Sequence, residues 1–204
     1  SLMRELARMM LARLRGSQRN LTAEPKVFAL ISSSPTIDLA YRAAELKNAL
    51  ARSGKSCAIC DESCAEWSGR RLEELETGHD IVLLTARLGD PVWARRAMGR
   101  ADRIWLLAGA DARPSTPLLP DDPSPAAKLK LIDVVMLHFG GTTAASRPQE
   151  WATASEAARV FHWRQDHDRI DAERLARTLT GQSVGLIVSG GGAQKSQKLA
   201  QRLF

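Results

Sequence analysis

Several groups of residues in this 204-residue chain have the types and spacing to do chemistry. Gly181-Gln182-Ser183-Val184-Gly185 fits Gly-x-Ser-x-Gly, the pattern in which a strand delivers a serine into a strained turn at the start of a helix and lifts its hydroxyl above the sheet. The surroundings run the other way here. A helical pattern over 171–179 comes before it and an apolar run over 184–188 after it, so Gly181 reads as a helix C-cap and Ser183 as the first residue of a strand. Gly190-Gly191-Gly192-Ala193 follows that run, and successive unhindered amides in such a turn can converge on an anion or oxyanion, although a plain tight turn uses the same glycines. Neither the dinucleotide pattern G-x-G-x-x-G nor the phosphate-loop pattern is met there. Gly54-Lys55-Ser56 lacks the upstream glycine of a phosphate loop and reads as a helix end.

Ser32-Ser33-Ser34-Pro35-Thr36 joins the first strand pattern to the first helix pattern, where an open α/β sheet receives ligands. Ser32, Ser33, Ser34 and Thr36 could hold a phosphate with helix amides. The competing reading is ordinary N-capping by Ser34 or Thr36 with Pro35 at the turn. Cys57, Cys60 and Cys64 have no second pair at zinc-finger distance, and Cys57 and Cys60, three apart on a strand, face opposite ways; they read as buried core thiols. His162 and His167 with Asp166 and Asp168 have the types for a metal set but no further ligand at defined spacing, and they read as a solvated bend, so no metal is assigned.

The elements that must position these residues alternate short apolar runs with helical patterns, the signature of parallel strands joined by crossover helices. Strands are expected over 27–32, 57–60, 81–85, 104–107, 131–138, 160–163 and 184–188, and helices over 36–53, 91–98 and 171–179. The proline-rich stretch 113–125, with adjacent Asp121 and Asp122, reads as a surface loop. The fold class is therefore α/β, a doubly wound, mostly parallel, Rossmann-like sheet occupying residues 26–180. Ahead of it, Leu2, Met3, Leu6, Met9, Met10, Leu11 and Leu14 recur at helical spacing until Gly16, which gives an amphipathic helix over 1–16 and a polar linker over 17–25. Such a helix packs on a preceding domain or a second copy of the chain, or lies on a membrane surface.

Composition narrows the function classes. With 44% hydrophobic and 25% charged residues the chain is globular, and no apolar run approaches a bilayer span. Net charge is +6, but residues 1–20 hold five arginines against one glutamate and the last ten hold Lys195, Lys198 and Arg202, so the body is close to neutral. Only 5% of residues are aromatic, and a nucleic-acid groove is not expected. Clustered cysteines in odd number do not make a disulfide framework, which points to a reducing, cytoplasmic setting.

The stretch from Arg174-Leu-Ala-Arg-Thr-Leu-Thr-Gly-Gln-Ser to Val-Gly-Leu-Ile-Val-Ser-Gly-Gly-Gly-Ala193 resembles the start of the catalytic domain in patatin-like phospholipases of the neuropathy target esterase type. Asp80-Ile-Val-Leu-Leu with Trp93, Arg100-Ala-Asp-Arg-Ile-Trp-Leu-Leu, and Asp171-x-x-Arg-Leu-Ala-Arg177 after a His-rich bend resemble the α/β region those proteins carry between cyclic-nucleotide-binding domains and the patatin domain. The resemblance covers about residues 26–193 and is most specific over 171–193. It implies a serine lysophospholipase or esterase parent acting on membrane lipid through a Ser–Asp dyad, with Gly190, Gly191 and Gly192 in the oxyanion-hole turn and residues 181–204 opening the patatin domain. The family's serine elbow and Asp-Gly motif lie beyond Phe204, so no catalytic residue and no cofactor is assigned to this chain. The pattern departs at Gln194 and Lys195, where the family has Arg and Gly. The expected function is a non-catalytic connecting or regulatory segment in the cytoplasm, or held at the inner face of the membrane, flanked by cyclic-nucleotide-binding and patatin domains. The alternatives are a nucleotide- or phosphometabolite-binding module at Ser32–Thr36, and a degenerate relative acting through protein contacts.

Overall fold

The computed structural model describes residues 24–88, 91–115, 119, 131–140 and 147–182. The expected helix over 1–16, Ser183, the strand over 184–188 and the Gly190–Gly192 turn lie outside them. The described chain forms strands β1 (Val27–Ser32), β2 (Cys57–Cys60), β3 (Ile81–Arg87), β4 (Arg103–Gly109), β5 (Leu131–His138) and β6 (Arg159–Arg164). Helices α1 (Leu39–Arg52), α2 (Gly69–Gly78), α3 (Pro91–Arg100), α4 (Pro148–Ser155) and α5 (Asp168–Leu179) connect or follow them.

All strand pairings are parallel, in the order β2-β3-β1-β4-β5-β6. This is the doubly wound α/β architecture the sequence implies. Strand residues alternate between two cores. Ala29, Leu84, Leu106 and Met136 pack with Leu72, Trp93 and Trp151 under α2, α3 and α4. Leu30, Leu83, Trp105 and Leu137 pack with Leu46, Leu50 and Leu175 under α1 and α5. Burial on both faces is why the strands read as continuous apolar runs rather than as alternating ones. Each fully buried large side chain contributes about 1.5–3 kcal/mol, so the central strands anchor whatever their ends display.

Two helices escape the periodicity. In α2 the charged run around Leu72 and Leu75 offers little apolar pattern, and its start is fixed instead by Ser68, whose side chain accepts from Arg71 N. The eight-residue α4 begins with Pro148 at its first turn and ends at Glu156 in left-handed conformation. Helix α1 starts three residues later than expected, because Asp38 caps it rather than Ser34 or Thr36.

Candidate functional site

In an open parallel sheet the ligand crevice lies beyond the strand carboxyl ends where successive connections diverge. Here β1 leads outward to β2 on one side while β4 leads to β5 on the other, so the crevice falls at the ends of β1 and β4. Ser32–Thr36 occupies it. Ser33 N donates to Leu107 O at 3.0 Å and Leu88 N to Ser32 O at 3.4 Å, which seat the loop on both neighbouring strands. Ser32 Oγ donates to Ser34 O at 2.5 Å, Ser34 Oγ and Thr36 Oγ1 lie 2.9 Å apart, and Thr36 N donates to Ser34 Oγ at 3.3 Å. Ile37 N donates back to Ser34 O at 3.2 Å. Ser32, Ser34 and Thr36 thus spend their hydroxyls within the turn. The Asp38 carboxylate accepts from Tyr41 N at 2.9 Å, so a negative group already stands at the helix N-terminus where an anion would bind.

Beside that loop the carboxyl edge gathers titratable groups. Tyr41 Oη donates to Asp168 Oδ2 at 2.5 Å, and the buried Arg42 guanidinium pairs with the other oxygen of Asp168. Accepting that hydroxyl proton as a carboxylate, Asp168 holds the Tyr41 phenol above its usual range. Arg42 also lies 4.7 Å from the Trp163 ring centre and 5.7 Å from that of Phe139. One ion pair and a stacked cation thereby tie α1 to the start of α5.

His138 Nε2 and His162 Nδ1 share a hydrogen bond of 2.9 Å at the ends of β5 and β6. Burial, and then the neighbouring His138, hold the His162 ring below its ordinary value. The His162 carbonyl accepts from Arg174. Asp171 is buried; burial alone would raise its pKa, but Arg164, donating from N at 2.8 Å and Nε at 2.9 Å, and Arg174 bring it below the usual carboxylate range.

The strand amino ends carry a second group that sequence reasoning missed. Asp133, fully buried, accepts from Arg103 Nη2 at 2.9 Å, Arg159 Nη2 at 2.8 Å and the Trp105 indole at 3.0 Å. Burial pushes that carboxyl up, and the two guanidinium groups together outweigh it and hold it low. An aspartate inside an otherwise apolar strand is the signal that could have found it. At the same edge Glu24, Lys26, Lys55, His79, Asp80 and Thr180 line a polar cavity of about 430 Å³. Asp80 is engaged there by Ser56, through N at 2.8 Å and Oγ at 2.7 Å.

The other expected residues fall apart as a group. Asp166 and His167 stand exposed on a 3-10 turn, whereas Asp168 is committed to Tyr41 and Arg42, and His162 to His138. Among the described residues no cluster of three or more His, Cys, Asp or Glu side chains is placed to hold a metal. Cys57 is a buried thiol on one face of the sheet, as expected. Cys60 and Cys64 are not thiols: the 3-10 turn Glu62–Cys64 brings Cys64 back against the end of β2, and the two are joined as a disulfide with Cα atoms 6.0 Å apart. Strand spacing alone treats these cysteines as independent, because it ignores the reversal after Cys60. Gly54 and Gly181, at φ +75° and +66°, end their helices as the sequence suggests.

No protein-family model matches the chain, and no curated protein matches it. No helix among the described residues is long and apolar enough to cross a membrane.

Proposed function

We propose that this chain is a non-catalytic α/β connecting module of a larger patatin-like serine lysophospholipase or esterase, set between a cyclic-nucleotide-binding domain upstream and the patatin domain downstream. The observation that carries the reading is that the two ends of the folded body are neighbours. The chain enters at Glu24 and leaves through Gly181, where an added Cβ would stand 2.9 Å from a Glu24 carboxylate oxygen. Both lie at the amino edge of the sheet. A body with adjacent ends sits to one side of the chain that passes through it, so its two neighbours are brought together rather than held apart.

Two further features support the reading. The resemblance is most specific over 171–193 and carries Gly190, Gly191 and Gly192 onto the family's oxyanion turn. At the carboxyl edge, where an independent ligand site would be expected, Ser32, Ser34, Thr36, Asp168 and Asp171 are bonded to their own neighbours. That arrangement favours a packed scaffold over the nucleotide-binding alternative.

Hydrolysis of lysophosphatidylcholine and of a p-nitrophenyl ester tests the proposal. The 204-residue chain is expected to give the buffer rate, since acyl transfer needs an activated nucleophile and an oxyanion turn alone supplies only a small part of the acceleration. The same chain extended through the reading frame that follows it is expected to cleave both substrates. Turnover by the short chain, or none by the extended one, would overturn the proposal.

A further inference from the structure

Strand β2 is one edge of the sheet, and the chain leaves it through a segment held from several sides. Asp61 Oδ1 accepts from Ser63 N at 3.0 Å and Ser63 Oγ at 2.6 Å, which folds the turn Glu62–Cys64 back on the strand. Trp67 N donates to Cys64 O at 3.0 Å. From α3, the Arg96 guanidinium donates to the carbonyls of Ala65 and Trp67, and the Arg71 guanidinium lies 3.7 Å from the Trp67 ring centre. Ser68 then caps α2. The Cys60–Cys64 disulfide is the one covalent member of this set.

The third cysteine takes no part. Cys57 points into the opposite core, beneath α1, and its burial pushes the thiol up to about 11. It is neither a nucleophile near neutral pH nor within reach of the other two.

We propose that Cys60 and Cys64 form a reversible redox-modification site, whose co-substrate is a small thiol of the glutathione class and whose state decides how firmly residues 61–67 hold the start of α2. A five-residue loop closed on an edge strand is a local clamp. Both sulfurs are buried, so exchange waits on an opening of the one-turn segment. Cys64 is the sulfur reached first, because Glu62 and Ser63 beside it are exposed. A small-thiol thiolate attacks the Cys64 sulfur, the bond to Cys60 breaks, and the electron pair leaves with Cys60. A second small-thiol thiolate attacks the small-molecule sulfur of the mixed disulfide and releases Cys64. One protein disulfide and two small thiols thus become a protein dithiol and one small-molecule disulfide. Two electrons pass to the protein, and the two protons given up by the small thiols end on Cys60 and Cys64.

The test equilibrates the native chain in reduced and oxidised glutathione mixtures, quenches with acid, denatures, and labels with N-ethylmaleimide for mass spectrometry. The expected result is a two-electron transition between one label, on Cys57, and three. Cys57→Ala should show the same transition between no label and two, whereas Cys64→Ser should carry two labels in every glutathione mixture once any mixed disulfide is counted. Hydrogen exchange supplies the second readout. Reduction should speed exchange in residues 61–67 about thirtyfold, the factor that loop entropy assigns to a five-residue closure, while residues 131–138 and 159–164 stay unchanged. Three labels in every mixture, one label even in excess dithiothreitol, peptide mapping that pairs Cys57, or exchange in 61–67 that ignores the redox state would each overturn the proposal.

Discussion

Replacing Asp133 by asparagine keeps the shape of the side chain and an acceptor for the Trp105 indole, yet removes the charge that two arginines face. The carboxylate is 0% exposed, the Arg103 side chain 12% and the Arg159 side chain 42%. Arg159 can turn to water and lose little, but Arg103 is left as a largely desolvated cation against a neutral partner. Breaking a buried pair from one side costs about 3–5 kcal/mol. The retained hydrogen bonds place Asp133→Asn at the lower end, about 3 kcal/mol. For a domain of this size each kcal/mol moves the midpoint by about 2–4 °C, so Tm should fall by roughly 6–12 °C. Adding Arg103→Met removes the stranded cation and should recover more than half of the loss, because a neutral, packed replacement of a buried pair is close to neutral in stability. Urea and thermal unfolding followed by far-ultraviolet circular dichroism at pH 7 read both variants. A single variant within 1 kcal/mol of the parent, or a double variant no better than the single, would refute this account of the amino edge.

The remaining predictions concern the other polar groups. Asp133 and Asp171 both titrate below the usual carboxylate range when folded, so their contribution is complete above the unfolded value near 3.9 and is lost as pH falls through their folded values; the urea midpoint should drop steeply below pH 4. His162 is also held low. Protonation of the unfolded chain therefore removes stability earlier, as pH falls through about 6.5, and His162→Gln should abolish that first step in the same titration. Arg42→Met should cost about 2–3 kcal/mol through the unpaired Asp168 and the lost stacking on Trp163; an unchanged urea midpoint would contradict the tie between α1 and α5. Millimolar nucleotides should leave Tm unmoved, since a ligand that binds the folded state must raise it.

The parts of the fold legible in the sequence were those whose signal is burial itself. The runs at 27–32, 57–60 and 131–138 match β1, β2 and β5 residue for residue because a parallel strand covered on both faces is apolar along most of its length. Helix α2 was not legible, since its exposed charged positions outnumber the leucines that would mark its period. Topology places the Ser32–Thr36 loop at the carboxyl end of β1, but five residue types do not tell whether their hydroxyls face a ligand or one another. The ties Arg42–Asp168 and Arg103–Asp133 span 126 and 30 residues, and the first depends on how α1 and α5 pack on one face. Cys60–Cys64 is local, yet it rests on a chain reversal that strand alternation does not contain.

The central claim is that this body joins two others, and sequencing the source gene well beyond both ends of the chain tests it most directly. The expected result is a frame that continues past Phe204 into Gly-x-Ser-x-Gly on a strand-to-helix turn and later an Asp-Gly, with a cyclic-nucleotide-binding domain upstream of the arginine-bearing amphipathic segment. A stop codon directly after Phe204, or a downstream frame with neither motif, would contradict it.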